Sequence, residues 1–407
     1  MLKKIYRFLG KPAGLAALML ASVTFSCQEK MDSPVLEVAD QILNYQKGQV
    51  IPGSYIVVLQ PGAINFRKDG SYEDVQAGMR KSAEGLLERH RISKEKITHV
   101  YGKVLDGFAV QLTQEEFERL RTDASISYIE QDQVVSIAQG NRPGGGGGGS
   151  TTGQTTPWGI TRVGGSVNYT GTAVAWVVDT GIDLTHPDLN VRTTNGFTAF
   201  TSGKDANLND GNGHGTHVAG TIAAINNTIG VVGVAAGAPV IPVKVLDSRG
   251  SGSNSGVIAG VNHVASFGKA GDVANMSLGG GVSTALDNAV LAASQTGIKF
   301  VLAAGNSAID ANNSSPARVN GANIYTISAS DSQDRLASFS NFGNPPVDYA
   351  APGVSINSTW KGGGYNTISG TSMAAPHAAG ILLLGAPRTG GFVTGDKDNT
   401  PDPIMVR

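Results

Sequence analysis

The chain has 407 residues, with 31 Lys and Arg against 32 Asp and Glu and a formal net charge of −1. That balance, with no basic block, excludes an electrostatic nucleic-acid binder, and the length suits one large domain with a smaller companion. Cys27 is the only cysteine, so no intramolecular disulfide can form. Glutamate stops at Glu130, whereas most of the 55 glycines follow residue 140. A charge-dense front segment therefore precedes a loop-rich α/β body.

Lys3, Lys4, Arg7 and Lys11 precede an apolar stretch over residues 13–25, and Cys27 follows it directly. Residues 1–27 read as a secretory signal, too short in its apolar part for a membrane span. The cysteine's position is similar to a bacterial lipoprotein signal, which implies lipidation of Cys27 and a membrane-anchored precursor. Thr24-Phe25-Ser26 departs from that pattern, and the alternative is ordinary cleavage nearby with a passive cysteine. Both readings give an exported protein of the bacterial envelope or the extracellular space. Residues 28–50 form a polar tether with a short helix over 35–45.

Residues 51–139 change pattern. Strands are expected over 54–59, 99–105, 107–112, 127–130 and 134–137, and helices over 72–90 and 114–121. Thr113, with Glu116 three residues on, provides a capping box for the second helix. The order is β-α-β-β-α-β, a small ferredoxin-like α+β domain. Residues 140–153 hold Asn141-Arg-Pro-Gly144 and further glycines to Gly149, a flexible linker exposed to cutting.

From 154 to 385 strands and helices alternate. Strands are expected over 173–178, 239–246, 273–277, 299–303 and 324–328, and helices over 214–224, 253–267, 283–296 and 371–384. That alternation predicts a mostly parallel central sheet with helices on both faces. Residues 386–407, rich in Gly, Asp and Pro, read as an irregular tail. Ligands of such sheets sit outside the C-terminal strand ends. Asp179 and Asn306 follow strand ends, and His214 and Ser372 open helices, so all four fall at one rim. A serine hydroxyl is a weak nucleophile that needs an oriented base. His214, at the mouth of its helix, and His217, one turn further in, compete for that role.

Three segments carry the chemistry: Ala173-Val-Ala-Trp-Val-Val-Asp179, Asp210-Gly-Asn-Gly-His-Gly-Thr-His217 and Gly370-Thr-Ser-Met-Ala-Ala-Pro-His377. Together, in the order Asp, His, Ser, they resemble the subtilisin-like serine proteases, and the resemblance runs from about Tyr55 to Gly380. It implies a serine endopeptidase with Ser372 as nucleophile, His214 as base and then acid, and Asp179 orienting the imidazole. Asn306, with the Ser372 N–H, matches the family's oxyanion hole. His217, His377 and His186 are left as structural residues. An esterase would want a G-x-S-x-G elbow and a different residue order, which do not occur here.

The resemblance implies further parts. Gly250, Ser251 and Gly252 on one side, and Ser277, Leu278, Gly279 and Gly280 on the other, match the edges between which an extended polypeptide substrate inserts. Ser277–Gly280 with Ala303, Ala304 and Gly305 line the pocket for the residue before the cut bond. No acid stands there, so broad cleavage after apolar or aromatic residues is expected. Leu278 and Met276 fit equally as core. Residues 51–139 resemble the family's propeptide, an intramolecular inhibitor, with self-cleavage after Ala138 or Gln139. Gln154, Asp188, Ile225, Asn227, Ile229 and Val231 match a structural Ca²⁺ site built of side-chain and main-chain oxygens. A monomer is expected.

Overall fold

A computed structural model describes residues 46–137 and 153–407. The signal region with Cys27, the 35–45 helix, Ala138, Gln139 and the glycine run lie outside the described residues. Among the described residues no helix is long and apolar enough to cross a membrane.

The front domain runs strand Val50–Leu59, helix Tyr72–Arg89, strands Ile97–Val100 and Gly107–Gln111, helix Gln114–Leu120 and strand Ile126–Ile137. Both helices start in capping boxes, Ser71 with Asp74 and Thr113 with Glu116. The four strands lie in the order Ile126–Ile137, Val50–Leu59, Gly107–Gln111, Ile97–Val100, all antiparallel. Two expectations need correction. The strands expected over 127–130 and 134–137 are one continuous strand. The strand expected over 99–105 stops at Val100, because the chain then turns to place Lys103 N and Val104 N on Asn262 Oδ1, at 2.9 and 3.3 Å.

The body is built on a nine-stranded sheet. Its order is Arg388–Phe392, Pro403–Val406, Tyr349–Pro352, Ile324–Ser330, Lys299–Ala303, Val273–Met276, Ala175–Asp179, Val240–Lys244, Phe197–Thr198. Every neighbouring pair is parallel except the first. Side chains alternate across its faces as a strand's period of two requires. Trp176 and Val178 pack with helices Asn254–Phe267 and Thr284–Ser294. Ala175 and Val177 pack on the opposite face with helices His214–Ala223 and Thr371–Leu384. Chain order reverses between Ala175–Asp179 and Val273–Met276. That switch point opens a crevice beyond the carboxyl ends of the two strands, where Asp179 and Ser277 stand.

The irregular tail is the third correction. Residues 388–406 form an antiparallel hairpin whose Pro403–Val406 arm extends the main sheet alongside Tyr349–Pro352. Ile404 and Met405 are fully buried there, so a four-residue segment covers the sheet edge despite the Gly- and Pro-rich sequence around it.

Candidate active site

Asp179 and His214 meet across the crevice. His214 Nδ1 donates to both carboxylate oxygens of Asp179, at 2.8 and 2.9 Å, and both side chains are buried. The close approach depends on Gly215, where a Cβ would lie 2.1 Å from Gly181 O in the loop after the Asp179 strand. With Nδ1 engaged, Nε2 of His214 faces away from Asp179 and is buried without a hydrogen-bond partner among the described residues. His217 takes a structural place, as expected: its Nε2 lies 3.0 Å from Ile356 O and 3.1 Å from Asn366 O, on the hairpin of Ile356–Trp360 and Gly364–Ile368.

Ser372 is the second residue of the Thr371–Leu384 helix, which packs on the His214–Ala223 helix. Its hydroxyl donates to Ser277 O at 3.1 Å. Pro376 explains the other half of the Ser277 contact. Having no N–H, it leaves the Ser372 carbonyl without its helical donor. Ser277 Oγ fills that role at 2.9 Å and is itself held by Asn275 Nδ2 at 2.8 Å. Asn306 is anchored through its oxygen, which accepts from Thr371 N (2.8 Å) and Thr371 Oγ1 (2.9 Å). Fixing Oδ1 in this way aims the amide N–H groups away from Thr371. The Thr371 anchor had no signal in the sequence beyond adjacency to Ser372.

The cleft holds the end of the front domain. Val134, Val135 and Ser136 pair antiparallel with Ser253, Gly252 and Ser251 on one side, while Ser136 and Ile137 pair with Gly279 and Leu278 on the other. Ile137 N donates to Gly250 O at 3.0 Å. Gly250 has φ +83°, a conformation that strains any other residue, and a Cβ there would press on the Ile137 side chain, with Cδ1 at 2.8 Å. Leu278 and Met276 are both core-buried; Leu278 shares its apolar cluster with Val135 and Ile137 of the inserted strand. Ala303 and Ala304 are buried beside the crevice, and no charged side chain belongs to either expected pocket segment.

Two carboxylates behind this tail cap helices of the body. Asp132 accepts from Ser255 N (3.1 Å), Ser255 Oγ (2.5 Å) and Ser54 Oγ (3.1 Å), at the start of the Asn254–Phe267 helix. Glu130 accepts from Ser283 Oγ and from Ala285 N (3.1 Å), at the start of the Thr284–Ser294 helix. Negative charge at a helix N-terminus satisfies its unpaired N–H groups and complements the dipole. Sequence reading found both helix starts but not these partners, which come from another domain.

Remote from the cleft, Gln154 Nε2 lies 2.7 Å from Ile225 O, 3.2 Å from Val231 O and 3.3 Å from Asn227 Oδ1. Asp188 adjoins them, accepting from Asn227 Nδ2 (2.8 Å) and Val231 N (3.1 Å). Ile229 N donates to Asn227 Oδ1 at 2.8 Å. The six expected residues thus share one loop cluster. No group of three or more His, Cys, Asp or Glu able to hold a metal occurs among the described residues.

Burial drives two histidines far down, His217 to about 3, helped by repulsion from His214, and His377 to about 4. Both are neutral in the fold and protonated when unfolded below about pH 6.5. Unfolding therefore takes up protons between about pH 6.5 and 4, and stability is full above that window and falls within it. By pH 4 each histidine costs about 3 kcal/mol. Urea melts of the inactive Ser372→Ala protein should show a midpoint that drops steadily below pH 6.5; a midpoint flat to pH 4 would contradict the assignment.

Residues 169–386 match the subtilase family, and residues 54–138 match peptidase inhibitor I9. The chain is 40% identical over 395 residues to the extracellular serine proteinase of Thermus sp. (strain Rt41A), covering 92% of this chain and 90% of that one. It is 41% identical over 349 residues to alkaline serine exoprotease A of Vibrio alginolyticus, covering 82% of this chain but only 60% of that protein. A cold adapted subtilisin-like serine proteinase of known structure aligns with a TM-score of 0.53 at 40% identity, over 61% of this chain and 97% of that one. With the fold, the Asp–His pair and the inserted inhibitor strand in place, the chain belongs to the subtilase family and is a subtilisin-like serine endopeptidase made as a zymogen.

Proposed function

We propose that Ser372, His214, Asp179 and Asn306 carry out peptide hydrolysis through an acyl-enzyme. Ser372 Oγ attacks the substrate carbonyl and its proton passes to His214 Nε2, while Asp179 keeps Nδ1 protonated and stabilises the imidazolium. The amide of Asn306 and the Ser372 N–H stabilise the oxyanion. Nε2 then returns its proton to the leaving amine, and a water molecule repeats the sequence to release the acid. The observation that carries this reading is His214: one ring nitrogen on Asp179, the other buried and without a donor or acceptor among the described residues.

Substrate enters as an extended strand between residues 250–252 and 277–280, as the propeptide tail does here, with main-chain bonds giving breadth of sequence. An uncharged pocket of Ser277–Gly280 and Ala303–Gly305 suits apolar or aromatic side chains. Ile137 pairs with Leu278, the residue after Ser277, whose carbonyl holds the Ser372 hydroxyl. This favours self-cleavage after Ala138 over cleavage after Gln139. Mass spectrometry of the matured protein should find Gln139 as the first new N-terminus. A wild-type precursor that stays whole under folding conditions would contradict the mechanism.

The oxygens of Ile225, Asn227 and Val231 converge on one point, now met by the Gln154 amide nitrogen, with the Asp188 carboxylate adjoining. Rotating that amide by half a turn adds Gln154 Oε1 to a hard-oxygen set suited to Ca²⁺. Such an ion would fix the arm at residue 154 to the body once the propeptide has left. With Ca²⁺ at about 100 times its Kd the fold gains about 2.7 kcal/mol. Chelation should therefore lower the Tm of the mature protein by several degrees, and Asp188→Asn should abolish that response. An identical Tm with and without chelator would remove the site.

Export fits the signal-like N-terminus, and the Thermus relative is named an extracellular proteinase. Acylation at Cys27 would anchor only the precursor, because the cut frees the catalytic domain as a monomer.

A further inference from the structure

Asp210 lies in the loop ahead of the His214–Ala223 helix, is 3% exposed, and makes or breaks no bond in the reaction above. Its carboxylate nevertheless collects five hydrogen bonds. Oδ1 accepts from Thr180 Oγ1 (2.9 Å), Asn212 N (2.8 Å) and Gly213 N (2.8 Å). Oδ2 accepts from Thr216 N (2.9 Å) and Thr216 Oγ1 (2.6 Å). Four of the five organise the start of the base helix, as a capping carboxylate does. The fifth is different. Thr180 directly follows Asp179, and its hydroxyl oxygen also accepts Gly215 N–H at 3.0 Å.

One fully buried hydroxyl therefore joins the residue after the acid both to Asp210 and to the residue after the base. Helix capping does not require that link. It fixes the Asp179 strand end against the His214 helix, and so sets the span that the Nδ1–carboxylate bond must bridge. The same hydroxyl region is backed by the buried Lys244, whose Nζ donates to Thr180 O at 2.6 Å and lies 3.4 Å from Asp205 Oδ1. We propose that Thr180 and Asp210 are positioning residues that hold Asp179 and His214 in catalytic register through the shared Thr180 hydroxyl. The proposal rests on the reading that Asp179, His214 and Ser372 act together.

The test compares mature Thr180→Val, Thr180→Ser and Asp210→Asn with wild type, measuring kcat and KM on a peptide amide across pH, Tm, and active sites titrated by a serine-directed phosphonate. Thr180→Val keeps shape but loses the link, and kcat per titrated site should fall about 10- to 100-fold with KM within about twofold. Thr180→Ser should recover most of kcat. Asp210→Asn should lower kcat per titrated site with KM within about twofold. Thr180→Val with wild-type kcat per site would overturn the proposal, as would a Thr180→Ser that fails to recover. Wild type that the phosphonate does not label at Ser372 would instead sink the catalytic reading beneath it.

Discussion

Replacing Ser372 with alanine should leave the precursor whole and reduce peptide hydrolysis by about 10⁶-fold in kcat, the scale of the same loss in subtilisin. That is about 8 kcal/mol of transition-state stabilisation. Without the hydroxyl no acyl-enzyme can form, and His214 has no proton to receive. The fold should barely notice. The Ser372 hydroxyl's bond to Ser277 O is lost, whereas the Ser277 Oγ contact to the Ser372 carbonyl, which compensates Pro376, remains. The variant should therefore stay folded, with strand 134–137 still seated between its two rails. Purified precursor that matured at the wild-type rate would show that cutting is done by another protease.

The second large effect belongs to Asn306. Its oxygen accepts from Thr371, so the donors it would offer an oxyanion are its amide N–H groups. Asn306→Ala should lower kcat by about 100- to 1000-fold, or about 3 to 4 kcal/mol, a scale known from the equivalent loss in subtilisin, with KM nearly unchanged. Alanine also strips Thr371 of an acceptor, which confuses a purely catalytic loss with a local one. Asn306→Asp resolves this, because it keeps an oxygen for Thr371 and removes only the donors. It should be at least as damaging as alanine, since a carboxylate would face the developing negative charge. Near-normal kcat in Asn306→Asp would place the oxyanion donor elsewhere.

Much of the site was legible because its chemistry is written locally. Asp179 ends a buried strand, His214 opens a helix after a glycine loop, and Ser372 opens another, so topology alone brings them to one rim. The two glycine-bearing rails were legible for the same reason. What escaped reading is non-local. Glu130 and Asp132 cap helices of a different domain, Thr371 fixes an amide 65 residues away in sequence, and Asp210 works mostly through main-chain N–H groups. None of these contacts leaves a spacing signature. The edge hairpin at 388–406 was missed because strand pairing to a neighbour, not alternation, makes it, and its glycines and prolines mimic a loop. The strand at 99–105 was overextended because docking on Asn262 overrides an apolar run.

Covalent trapping of the nucleophile gives the most direct test. Mature enzyme treated with a serine-directed phosphonate and mapped by peptide mass spectrometry should carry a single adduct, on Ser372. His214→Ala should abolish the adduct, and added propeptide should slow its formation by filling the cleft. Labelling on a different residue, or wild-type labelling of Ser372 in His214→Ala, would contradict a serine activated by this histidine.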